Sequence, residues 1–217
     1  MNARKRTAVL ISGRGSNLQA LMDAAVHPAF PAEIALVLSN VADAQGLVRA
    51  TGAGILTKTI PHPAYPSREA FDGVVDQVLK ANGIELVCLA GFMRILSNGF
   101  VKAWEGRLIN IHPSLLPAFK GIDVHRRVLD AGVRITGCTA HFVVPELDSG
   151  PIIAQAAVPV VADDSEDSIA ARTLEAEHKL YPLALKLLAE GRVRLAGNRA
   201  EFVDAPSGSG ALFSPPL

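Results

Sequence analysis

Apolar residues fall along this chain in short unbroken runs separated by stretches of helical spacing. Residues 7–12, 34–39, 55–60, 84–90 and 108–112 form the runs. Runs this short suit strands buried on both faces, as in a parallel sheet. Between them the spacing predicts helices over 18–25, 44–51 and 68–79, with Ser67 as an N-cap, and a short helix over 100–104. Alternating strands and helices imply right-handed βαβ units. The pattern then changes. In residues 134–144, Ile135, Gly137, Thr139, His141 and Val143 alternate with Thr136, Cys138, Ala140 and Phe142. A loop rich in proline and glycine follows at 145–151, then a further strand at 152–161, which predicts an antiparallel pair. Residues 121–129 read as a helix. An acidic stretch with Ser165 opens another helix running towards His178, and Pro182 divides it from a last helix ending at Ala189. The expected fold is α/β: an open, mainly parallel twisted sheet with helices on both faces and antiparallel strands towards the C-terminal half. A single domain is expected over residues 1–204. Residues 205–217, rich in Pro, Gly and Ser, are expected to be a disordered tail.

Charge narrows the partners. Lys+Arg and Asp+Glu are both 21 among 217 residues, so the formal net charge is zero. That gives no electrostatic case for nucleic acid or an anionic membrane. No apolar stretch is long enough to span a bilayer. Cys88 and Cys138 sit inside apolar strand-like runs, which suits small buried hydrophobes in a reducing compartment, and a cytoplasmic protein is expected. The six histidines form no His-x-x-x-His and there is no Cys-x-x-Cys, so no metal site is expected. The absence of Gly-x-Ser-x-Gly disfavours a serine hydrolase.

Four places could carry chemistry. Gly13-Arg14-Gly15-Ser16-Asn17 joins the first strand to the first helix. Glycines let backbone amides approach an anion, and a helix start adds positive partial charge, with Ser16 or Asn17 free to cap the helix or bind the anion. The same residues also suit a plain βα turn; a third glycine and a Gly-Lys-Ser/Thr are both missing. Arg68 would stand at the mouth of its helix, as a ligand-binding or a merely solvated charge. Gly91 to Leu96 form an apolar loop holding Arg94, beyond a strand's carboxyl end, where open sheets bind ligands. Asn110 and His112, two apart on a strand, project from one face. An amide can donate to a developing negative charge, and an imidazole can move a proton. Alone, such a pair is more often structural. Asp148, on the loop between the antiparallel strands, can support its turn or reach the histidine and favour the imidazolium.

Taken together and in order, five segments resemble the phosphoribosylglycinamide formyltransferases. They are Gly13–Asn17, Ser67-Arg68-Glu69-Ala70, residues 90–96 (Ala-Gly-Phe-Met-Arg-Ile-Leu), residues 110–117 (Asn-Ile-His-Pro-Ser-Leu-Leu-Pro) and residues 146–151 (Glu-Leu-Asp-Ser-Gly-Pro). The resemblance spans about residues 7 to 190. It implies a Rossmann-like formyltransferase fold. It also implies transfer of the formyl group of the co-substrate 10-formyltetrahydrofolate to the amine of 5-phosphoribosylglycinamide, in purine biosynthesis. Asn110, His112 and Asp148 would be catalytic. Gly15, Ser16 and Asn17 would hold the ribose phosphate, and Glu177 the glycinamide. Arg68, Met93, Arg94, Ile95, Leu96 and Asn110 would hold the folate. The partners implied are these small molecules, with neither nucleic acid nor membrane, in a monomer or homodimer. Two other readings stay open: a 10-formyltetrahydrofolate hydrolase, and a folate- or nucleotide-binding module without chemistry. Hydrolases of this kind carry a further N-terminal domain, for which a first strand at Thr7 leaves no room. A formyltransferase acting on methionyl-tRNA would need a basic RNA-binding domain.

Overall fold

The sheet is built outwards from β1 (Lys5–Ile11), whose residues from Thr7 onwards are all buried. The computed structural model describes residues 3–204. After β1 the chain runs through α1 (Ser16–Val26), β2 (Ala32–Ser39), α2 (Gln45–Gly52) and β3 (Leu56–Thr59). A single 3₁₀ turn (His62–Ala64) leads to α3 (Arg68–Ala81), β4 (Leu86–Leu89), α4 (Asn98–Ala103) and β5 (Leu108–His112). Then come α5 (Val124–Asp130), β6 (Ile135–Phe142), β7 (Ile152–Pro159), α6 (Glu166–Ala189), β8 (Val193–Ala196) and β9 (Arg199–Phe202).

Seven strands form one sheet in the order β3-β2-β1-β4-β5-β6-β7. Pairings from β3 to β5 are parallel; β5 with β6 and β6 with β7 are antiparallel. The chain builds away from β1 in one direction with β2 and β3, and in the other with β4 and β5. Connections leaving β1 and β4 therefore diverge, and a crevice opens beyond their carboxyl ends. Alternation then divides the core. Val9 and Ile11 meet Leu18 and Leu21 of α1 and Tyr181 of α6, while Ala8 and Leu10 meet Phe71 and Val75 of α3 and Trp104 just past α4. Both faces are thus covered, as the unbroken apolar runs require.

The expected sheet is present; several local readings are corrected. Pro182 does not divide the last helix: α6 runs unbroken for 24 residues with Pro182 inside it. An interior proline costs about 3 kcal/mol. Tyr181, Ala184 and Leu185 are fully buried on the face that this continuous helix lays on the sheet. Each large apolar side chain buried stabilises by about 1.5–3 kcal/mol, so packing wins. The α1 cap is neither Ser16 nor Asn17 but Gly15, at φ 72° and without a side-chain bond. Strand β4 ends at Leu89, because Gly91 at φ 71° turns the chain away. Helix α5 begins only at Val124, since Asp123 sits at φ 54° and blocks an earlier start. The hairpin β8–β9 was not anticipated. Its connection is Gly197-Asn198 with Gly197 at φ 58°, the two-residue pattern of a tight hairpin. The caps at Ser67 and Ser165 are as expected: they accept from the N–H groups of Ala70 and Ser168. Among the described residues no helix is long and apolar enough to cross a membrane. The expected tail over 205–217 lies outside the described residues.

Candidate active site

The turn after β1 is shaped by glycine against glycine. A Cβ on Gly15 would lie 2.7 Å from the Cα of Gly46, and Gly15 holds φ 72°. The N–H of Gly46 donates to the carbonyl of Gly13 at 3.0 Å, so α2 braces the turn from behind. The first-turn amides of α1, beyond the reach of any helical carbonyl, give this end its positive character. The Asn17 amide donates to Glu177 Oε2 at 2.7 Å. Glu177 is buried on α6, and burial pushes its carboxyl pKa up while the Asn17 bond pulls it back. Gly15, Ser16, Asn17 and Glu177 are therefore brought together, and Asn17 Oδ1 is left buried without a protein partner.

Asn110 and His112 do share a face, at the end of β5. The β5–β6 register sets His141 opposite Asn110 and Thr139 opposite His112. The Asn110 amide nitrogen lies 3.3 Å from His141 Nε2. His141 Nδ1 lies 2.8 Å from the carbonyl of Phe142, which can only accept, so Nδ1 carries the proton and Nε2 accepts from Asn110. Burial holds the His141 pKa below its ordinary value, against the opposing pull of the Phe142 carbonyl and Asp148. A neutral His141 thereby fixes which way round the Asn110 amide sits and leaves its second N–H free.

Asp148 lies between the two imidazoles. Its Oδ2 is 3.4 Å from His112 Nδ1, and its Oδ1 is 3.9 Å from His141 Nε2. Oδ2 also accepts from the N–H of Gly121 at 2.9 Å. The backbone of Asp148 holds φ 47°, a strained value for a residue other than glycine, kept where the surroundings over-determine it. His112 Nε2 lies 2.9 Å from the carbonyl of Phe119, so both its nitrogens face acceptors and an imidazolium satisfies both. Thr139 holds the loop after β5: its hydroxyl donates to the carbonyl of Ser114 at 2.7 Å and accepts from the N–H of Leu116 at 3.0 Å. His141 and Thr139 are the supporting positions at this candidate site that sequence reasoning missed. The alternation over 134–144 already put them on one face; the register against β5 was the lacking piece.

The remaining candidates lie on the loop after β4 and at the start of α3. Met93 and Ile95 are exposed, while Leu96 is 7% exposed and packs its side chain in the core with Phe92 and Phe100. The Arg94 guanidinium stacks over the Phe71 ring at 4.9 Å, and its Nε is buried without a partner. Arg68, in the first turn of α3, lines a groove of about 520 Å³ with Asp72, Ser97 and Phe100. Among the described residues no group of three His, Cys, Asp or Glu side chains could hold a metal.

Comparison with known proteins is consistent along most of the chain. Residues 5–185 match the formyl transferase family. The chain is 50% identical over 192 residues to the phosphoribosylglycinamide formyltransferase of Escherichia coli, covering 88% of this chain and 91% of that one. It is 55% identical over 190 residues to the trifunctional purine biosynthetic protein adenosine-3 of Gallus gallus, covering 88% of this chain. This chain spans 19% of that protein's length. The crystal structure of glycinamide ribonucleotide transformylase 1 from Symbiobacterium toebii superposes with a TM-score of 0.91 at 46% identity, covering 94% of this chain and 96% of that one.

Proposed function

From the premise that the chain belongs to the formyl transferase family, among the phosphoribosylglycinamide formyltransferases, we propose that it passes a formyl group from N10 of 10-formyltetrahydrofolate to the primary amine of 5-phosphoribosylglycinamide. The observation that carries this reading is the single face holding Asn110, His112 and His141, with Asp148 set between the imidazoles.

The ribose phosphate lies on Gly15, Ser16 and Asn17, and Glu177 faces the glycinamide end. The folate lies along the Met93–Ile95 loop, with Arg94 and Arg68 for its carboxylates; Leu96 supports that loop from beneath. The neutral amine attacks the formyl carbon and the carbonyl oxygen becomes an oxyanion. The free Asn110 N–H donates to that oxygen, and one such donor is worth roughly 100- to 1000-fold in rate. When protonated, His112 adds positive charge at the oxyanion, with Asp148 beside its Nδ1. It also mediates movement of the proton from the attacking nitrogen to N10 as the N10–carbon bond breaks. Positioned acid–base groups contribute roughly 100- to 10,000-fold. The Phe119 carbonyl now occupies His112 Nε2, so substrate has to displace it before that nitrogen can hand over a proton.

The test is to mix the protein with 10-formyltetrahydrofolate, with and without the glycinamide ribotide, and follow loss of the formyl group. Amine-dependent loss with matching formylated ribotide is expected. Amine-independent loss would make the protein a hydrolase, and no loss a binding module.

A further inference from the structure

We infer that Ser12 is a positioning residue that couples the two substrate pockets, by fastening the folate-side loop to the phosphate-side turn. The inference rests on the ligand placement proposed above. Ser12 follows β1 and directly precedes Gly13. Its N–H donates to the carbonyl of Gly91 at 3.0 Å, and its hydroxyl accepts from the N–H of Met93 at 2.8 Å. The hydroxyl proton goes to Asn40 Oδ1 at 2.6 Å. Asn40, buried just past β2, sets its amide nitrogen 3.2 Å from His62 Nδ1, in the 3₁₀ turn that leads to α3 and Arg68. One serine thus joins the carboxyl ends of β1, β2 and β4. A serine that only finished a strand would need one of these bonds.

The two loops differ in what is free to move. Met93 has its N–H held while its side chain is 74% exposed, so the backbone is anchored and the side chain can lie on a flat ligand. On the turn side, Gly15 already abuts Gly46, and Gly13 accepts from the Gly46 N–H. A phosphate that orders the turn therefore transmits that order through Ser12 to Met93, and a folate that orders Met93 acts back on the turn with equal strength.

Calorimetric titration with tetrahydrofolate, with and without saturating glycinamide ribotide, tests this. In the wild type, ribotide should tighten folate binding by about five-fold or more, the lower end of ordinary coupling between sites. Ser12→Ala should bind each ligand alone yet lose the enhancement, whereas Ser12→Thr, which keeps the hydroxyl, should retain it. Asn40→Ala frees the hydroxyl proton without touching either loop and should weaken the enhancement, so the outcome does not hang on one variant folding. Undiminished enhancement in Ser12→Ala, or independent binding in the wild type, overturns the coupling. A wild type that binds neither ligand overturns the functional reading, and the coupling with it.

Discussion

The turn after β1 and the face shared by β5 and β6 are the two regions proposed to face an anion, and they are built from different material. At the turn the donors are backbone amides, and what matters is the space that Gly15 leaves against Gly46. On the strand face the donors are side chains, held by other side chains: Asn110 by His141, and His112 by Asp148. The lesson is one of tolerance. A backbone site can lose a polar side chain and keep its donors, but it cannot accept a Cβ. The strand-face site cannot lose a nitrogen, and beside it a Cβ on Gly150 would lie 3.3 Å from His141 Nδ1.

The contrast predicts a large kinetic effect at Asn110. Asn110→Ala should cut kcat by about 100- to 1000-fold with the ribotide KM near its wild-type value. Steady-state kinetics at varied ribotide would break the contrast if KM carried the loss instead. Gly15→Ala should act oppositely. It forces a side chain to φ 72° and into Gly46, costing at least about 1–2 kcal/mol of stability. Thermal melting should show a lower midpoint, and kinetics a raised ribotide KM with kcat largely spared.

Glu177→Gln links stability to binding. Burial raises the Glu177 pKa above its ordinary value of 4.5, so the folded protein favours the neutral carboxyl. Wild-type stability therefore falls relative to the Gln variant as pH climbs from 4.5 through the folded pKa. The variant should be the more stable protein at neutral pH and the weaker ribotide binder. Paired melting curves and KM values measured against pH check both signs.

The smallest effect is at His141. Its folded pKa lies below 6.5, so the unfolded chain takes up a proton first as pH falls through 6.5, and stability declines. His125 and His178, also lowered by burial, add the same sign. Melting points measured from about pH 7 down to about pH 5 should fall, and His141→Gln should make the slope shallower.

The contrast also explains what the sequence could say. The turn is local: Gly13, Gly15 and Asn17 are near neighbours in the chain, so spacing alone marked a βα turn there. Even there, the Gly46 partner was invisible. The strand face is not local. His141 is 31 residues from Asn110, and only the antiparallel register brings them together. Pro182 reads locally as a helix end, yet a buried face decides otherwise. Leu96 reads as part of an exposed loop, yet the core takes its side chain. Local structure was legible wherever one stretch of backbone suffices, and was lost wherever tertiary packing chose between two local readings.

On the proposed reading His112, held by Asp148, carries proton transfer without holding the ribotide. Single-turnover formyl transfer by His112→Ala, with 10-formyltetrahydrofolate and glycinamide ribotide both saturating, tests it most directly. The rate should be lower by roughly 100- to 10,000-fold with ribotide affinity preserved. A variant that turns over at close to the wild-type rate would contradict it.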